Sequence, residues 1–129
     1  MTIEKQSLRS GPYKDIFAQA VKVGNILYIS GQVGIDDSGN PGADITEQTK
    51  LAYVNIANVL AKFDGEMSNV VDETMFVTDI KEVMANTESV FGARAMAYGG
   101  IPEVCQTLLQ VSALVHPKLK LEIKCIAHL

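Results

Sequence analysis

The stretch from Leu119 to His128 constrains the fold more than any other. It reads Leu-Lys-Leu-Glu-Ile-Lys-Cys-Ile-Ala-His, with an apolar residue at every second position through Ala127. Period-two alternation of this length marks a strand with one face in a core. Leu119, Leu121, Ile123, Cys125 and Ala127 form the core side. Lys120, Glu122, Lys124 and His128 form the other, interrupted by Ile126, and Glu122 is its only carboxylate. Upstream, Cys105 to Leu114 is a second run rich in aliphatic residues, in which Gln106, Gln110 and Ser112 share a face with Leu108 and Leu114. Val115-His116-Pro117-Lys118 between the runs is short enough for a turn, and Pro117 cannot continue a ladder. The two runs are expected to pair as a C-terminal hairpin.

Earlier segments supply the rest of a domain. Residues 1–12 are polar and close on a Gly11-Pro12 turn. Val21-Lys22-Val23 and the run from Ile26 to Gly34 read as strands joined by Gly24-Asn25, a two-residue connection suited to a tight hairpin. Gly31, inside the second strand, marks a bulge or a close backbone approach. Asp36 to Gly42 is a loop. Asp44-Ile45-Thr46-Glu47 has the form of a capping box and opens a helix to about Phe63, with Ala52, Ile56, Val59, Leu60 and Phe63 on one face. Asp64-Gly65 ends that helix. Val70 to Thr78 is a third strand. Asp79 then caps a second helix, with Val83, Thr87, Val90 and Phe91 inward, which fades through Tyr98 into Gly99-Gly100. The order ββαβαββ predicts a single two-layer α+β domain over residues 1–129, with both helices on one face of a mixed sheet. The other face is half apolar, which predicts an oligomer.

Charge narrows the functional classes. The net charge is −4, and Arg9 and Arg94 are the arginines of a chain of 129 residues. Gripping nucleic acid or an anionic membrane needs clustered cations, which are lacking. No apolar run approaches the ~20 residues that span a bilayer. The N-terminus carries no apolar signal core, so a cytoplasmic location is expected, with Cys105 and Cys125 as reduced thiols. His116, His128 and the cysteines lack ligand spacing, and no metal is expected. Neither a GxSxG elbow, a Walker loop nor a dinucleotide fingerprint is present. Cys105 reads as a small core thiol rather than a nucleophile. Glu122 is the best ionisable candidate. Its alternative is a solvated strand face, paired weakly with Lys120 and Lys124.

Several stretches together resemble the RidA/YjgF family of reactive intermediate deaminases, also known as L-PSP endoribonucleases. These are Gly11-Pro12-Tyr13, Asn25 to Gln32, Thr74 to Ile80, Leu121-Glu122-Ile123 and Cys125-Ile126-Ala127. The resemblance implies a chorismate-mutase-like α+β fold and a homotrimer whose sheets line a central barrel, with ligand clefts between subunits. It also implies hydrolysis of 2-imino or 2-enamino acids to 2-keto acids and ammonia without a cofactor. In that family an arginine at the start of the penultimate strand holds the substrate carboxylate. A water is oriented by the terminal-strand glutamate and by a carbonyl two residues past the arginine. By this resemblance Tyr13, Ser30, Gly31 and Gln32 line the cleft, Gly31 letting backbone approach ligand. Glu122 is the catalytic carboxylate. The arginine position falls on Gln106 and the carbonyl on Leu108. The family's second-helix asparagine falls on Ala85, one step from Asn86.

The missing arginine shapes the functional expectation. A guanidinium holds a carboxylate through two charge-assisted bonds, and a neutral amide does not. Losing a hydrogen bond to a charged group costs about 1.5–3 kcal/mol. The chain is therefore expected to be a weak deaminase of simple 2-imino acids unless Arg94 swings in as a substitute. One reading is a hydrolase of imine- or enamine-type small molecules. The other is a non-catalytic trimer that binds or senses a small metabolite. A ribonuclease reading is opposed by the charge.

Overall fold

The computed structural model describes residues 2–129. Its strands are β1 (Gln6–Leu8), β2 (Ala20–Val23), β3 (Ile26–Val33), β4 (Val70–Val77), β5 (Cys105–Gln110) and β6 (Leu121–His128). Its helices are α1 (Ile45–Ala61), α2 (Ile80–Ala85) and α3 (Thr87–Tyr98), with a 3-10 turn at Met67–Asn69. The strands form one six-stranded sheet in the order β1-β2-β3-β6-β4-β5. All neighbours are antiparallel except β4 and β5, which run parallel. The fold is α+β with a mixed sheet, as the alternation and caps predict. Gln6–Leu8 adds an edge strand within the segment read as polar.

The C-terminal hairpin does not form. β6 lies between β3 and β4, and β5 pairs only with the far edge of β4. The reason is burial. β4 hides Val70, Glu73, Met75 and Val77, whereas no residue of β5 is fully buried. The more buried strand takes the interior position and leaves β5 at the edge. The chain then crosses the end of β4, with Val111 N donating to Val77 O (2.8 Å) and Thr78 N to Lys120 O (3.1 Å). Strand β5 ends at Gln110, not Leu114, and its Gln110 Oε1 accepts from Ile80 N at 2.9 Å.

The first helix follows its signals. Asp44 accepts from Glu47 N, and Ala52, Ile56, Val59 and Leu60 are buried. The second expected helix is broken at Asn86, which ends α2 and begins α3 with φ −120°. Thr87 consequently faces solvent and donates to Met84 O at 2.7 Å. Leu27, Ile29, Ile56, Leu60, Met75, Leu121 and Ile123 make the core between sheet and helices, each fully buried.

Gln48 is an unforeseen fastener in this layer. Its amide donates to Gly42 O (3.1 Å) and Lys118 O (2.9 Å), and its carbonyl accepts from Lys120 N (2.8 Å). This one buried side chain joins the loop before α1 to the segment entering β6. A Cβ on Gly34 would lie 2.4 Å from Gln48 Cβ and 2.5 Å from its Cα, so that glycine sets how closely α1 approaches.

Candidate functional site

Register sorts every strand residue onto one of two faces, because directly opposed residues point the same way. Phe76 stands opposite both Glu122 and Leu109, and Thr74 opposite both Lys124 and Thr107. These side chains share the outer face, away from the helices. Glu73 stands opposite Cys125 and Gln106, and Met75 opposite Ile123 and Leu108. Those share the helix face. The side chains of Gln106 and Leu108 therefore lie on the face of the sheet opposite that of Glu122. Leu108 packs on the core, and Gln106 Nε2 donates to Glu73 Oε2 at 2.8 Å. The β5 residue nearest the arginine position on Glu122's own face is Thr107, and the carbonyl two residues on belongs to Leu109.

The irregularity in β3 builds the centre of the outer face. Pairing with β6 shifts between Ile29 and Gln32, so Ser30 and Gly31 form a bulge. Both flanking residues, Ile29 and Gln32, turn to the helix side, where Gln32 is buried and donates to Gln19 Oε1 at 3.1 Å. Gln32 is thus also off the face of Glu122. Gly31 is on it. A Cβ there would lie 2.2 Å from Glu122 Oε2, so the carboxylate rests in the space the missing side chain leaves. Gly31 makes room for the glutamate itself, rather than directly for a ligand. Ser30 Oγ donates to Ala18 O at 2.7 Å and pins the bulge to the segment leading into β2. Lys124 Nζ reaches Ile29 O at 3.3 Å on the same edge of the bulge. Half-burial pushes the Glu122 pKa up against the pull of the Lys124 ammonium. Lys120 is engaged elsewhere, with Glu82 at 2.9 Å. Tyr13 lies on the exposed turn before β2, stacked on Phe17 with ring centroids 5.6 Å apart.

The helix side holds a polar cluster that the sequence did not disclose. Glu73 is wholly buried. It accepts from Tyr98 (2.7 Å), Gln106 (2.8 Å) and both ways from Tyr53 (3.1 Å), and Arg94 Nε lies 3.2 Å away. Burial pushes both tyrosine hydroxyls up, which keeps them donors. Arg94 also lies 5.5 Å from the Tyr98 ring centroid and donates to Val104 O at 3.4 Å. It is committed to the helix face and is no substitute anchor for a ligand at Glu122. The signal available in the sequence was a glutamate at an inward position of an otherwise apolar strand. The cysteines are free and separated by β4. Burial pushes the Cys125 thiol up to about 12, and Cys105 is exposed.

With this geometry, the endoribonuclease L-PSP family matches residues 10–129. A RutC family protein of Pyrococcus abyssi is 31% identical over 97% of this chain and 92% of its own. The chain belongs to the RidA/YjgF family. Among solved structures, Rid-family YyfA of Yersinia pestis superposes with a TM-score of 0.82 at 29% identity, covering 98% of this chain and 100% of that one. Rv2704 of Mycobacterium tuberculosis gives a TM-score of 0.81 at 27% identity, covering 98% of this chain and 100% of the other. A mouse 2-iminobutanoate/2-iminopropanoate deaminase is 37% identical, over 56% of this chain and 52% of its own length. The match to the RutC family protein YjgH of Escherichia coli likewise spans 60% of this chain and 62% of that relative. Within this RidA/YjgF member, the outer face offers Glu122, Ser30, Gly31, Thr107 and Lys124 to chemistry. Among the described residues, no helix is long and apolar enough to cross a membrane.

Proposed function

We propose that this chain is a RidA-type hydrolase of imine- or enamine-type small molecules, acting in clefts that a second copy of a homotrimer completes on the outer sheet face. The observation that carries the reading is Glu122, a half-buried carboxylate seated over Gly31 with a raised pKa. Water adds across the C=N bond, the C–N bond breaks, ammonia leaves and a ketone remains. Glu122 accepts the proton of the attacking water and returns it to nitrogen. A protonated imine is already electrophilic, so a positioned water and one base suffice, and no cofactor is required. No cation stands at Gln106, where the resemblance puts the family's arginine, or at Thr107 beside it on the outer face, so turnover of simple 2-imino acids is expected to be slow. That same absence favours the second reading, a trimer that binds a metabolite without turning it over.

A coupled assay separates the two. A threonine dehydratase supplies 2-aminocrotonate, semicarbazide competes for the derived imine, and release of 2-ketobutyrate is followed. Acceleration by the wild type that collapses roughly 10²–10⁴-fold in E122Q supports hydrolysis, with Glu122 as general base. Binding without acceleration supports the second reading. T107R, but not Q106R, is expected to raise turnover, because only position 107 shares the face of Glu122.

A further inference from the structure

Within the six strands, Lys124 is the only lysine or arginine on the outer face among the described residues; Lys22 stands opposite buried Leu27 on the helix side. An ammonium has three donors. One reaches Ile29 O at 3.3 Å, and no carboxylate lies within ion-pairing distance among the described residues. Three cations are ion-paired, Lys50 with Glu47, Arg94 with Glu73 and Lys120 with Glu82, and Lys124 is not among them. Lys124 precedes no turn and caps no helix. It is held over the β3 bulge, two residues along the strand from Glu122 and beside the glycine on which that carboxylate rests. The opposite flank of Glu122 is apolar. Phe76 stands directly across from it, and partly exposed Leu109 stands across from Phe76.

We propose that Lys124 holds the anionic group of the ligand on the β3 side of Glu122, while an apolar remainder runs over Phe76 and Leu109 toward β5. The inference rests on Glu122 marking the reacting centre. It assigns the ligand class: a 2-keto or 2-imino acid with an extended apolar side chain, laid across the face with its charge on the bulge side. A lysine binds as a point charge, without the two parallel bonds of a guanidinium, so the apolar contact supplies the orientation that the cation leaves open. Short 2-imino acids would reach Lys124 but not Leu109, which adds to the cost of the missing arginine.

The test is direct binding of 2-ketohexanoate, 2-ketobutyrate and 2-hexanone to the full chain by titration calorimetry. K124Q should weaken 2-ketohexanoate roughly ten- to hundred-fold and leave 2-hexanone unchanged. K124R should restore most of the loss, and K81Q, on exposed α2, should change nothing. L109S should weaken 2-ketohexanoate more than 2-ketobutyrate. Equal affinity of K124Q and wild type for the keto acid overturns the proposal, as does a wild type that fails to bind it at millimolar concentration. Because these readouts are affinities, they are separate from turnover. An E122Q variant that keeps full activity would remove the hydrolase reading, whatever K124Q shows. A K124Q variant with unchanged affinity would remove the anchor while E122Q still loses turnover.

Discussion

At the scale of single residues, the two tight glycines have opposite consequences. The atoms nearest the Cβ added in G31A are the outer atoms of the Glu122 side chain. That end can swing away, so folding stability should change by less than about 1 kcal/mol while turnover falls nearly as far as in E122Q. Urea denaturation and the coupled assay on one preparation check both halves. G34A instead meets the backbone of α1 at Gln48 and should cost roughly 1–3 kcal/mol. Glu122 also sets a pH dependence. Its raised pKa means that the folded chain holds this proton more tightly than the unfolded chain does. This group therefore favours folding below the ordinary glutamate pKa of about 4.3, and the benefit is lost as pH rises through the folded value. Catalysis runs the other way, because the base must be ionised. The acid limb of the pH–rate profile should lie above the ordinary carboxylate range and vanish in E122Q. The sequence displayed Glu122 and Gly31 individually, through alternation and through a glycine inside a strand. It did not display which β5 residue faces them. Counting back from β6 lands on Gln106, whose side chain the register turns to the face opposite Glu122, with Thr107 next to it on Glu122's own face.

Among elements, the buried cluster on Glu73 joins β4 to β5 through Gln106, to α1 through Tyr53 and to α3 through Tyr98 and Arg94. Removing one member of a buried ion pair strands the other charge. R94A should accordingly lose roughly 3–5 kcal/mol of stability, and any change in ligand affinity should be small beside that loss. Denaturant midpoints alongside ligand titration decide it, and a stable R94A that no longer bound ligand would return Arg94 to the site. The elements themselves were legible where their signals are local. Asp44 capped α1, Asp79 capped α2 and Gly24-Asn25 closed β2 onto β3. The partners of β5 were not legible, because pairing across a long sequence separation is decided by which strand can bury most, and β4 outcompetes β5 for the interior. The break at Asn86 was hidden for the converse reason: Val83 and Val90 keep a helical spacing on either side of it.

For the whole molecule, the outer face leaves Tyr28 and Leu109 exposed and Phe76 and Ile126 half-buried. Burying this face between three copies is the proposed assembly, and Y28D should lower the mass seen by light scattering from three chains to one. The apolar tint of that face was legible as incomplete burial, whereas the number of copies came only with the family resemblance. The position of β6 has a consequence for how the molecule is made. The strand translated after the other five is the one that lies between β3 and β4. Without Leu121–His128, β3 and β4 would have no strand between them, and their facing edges would be open. Closing that gap joins segments far apart in sequence, which is slow, and open edges invite pairing with other chains. A chain cut just short of Leu121 should therefore be a sheet without its keystone, and is expected to aggregate where the full chain does not.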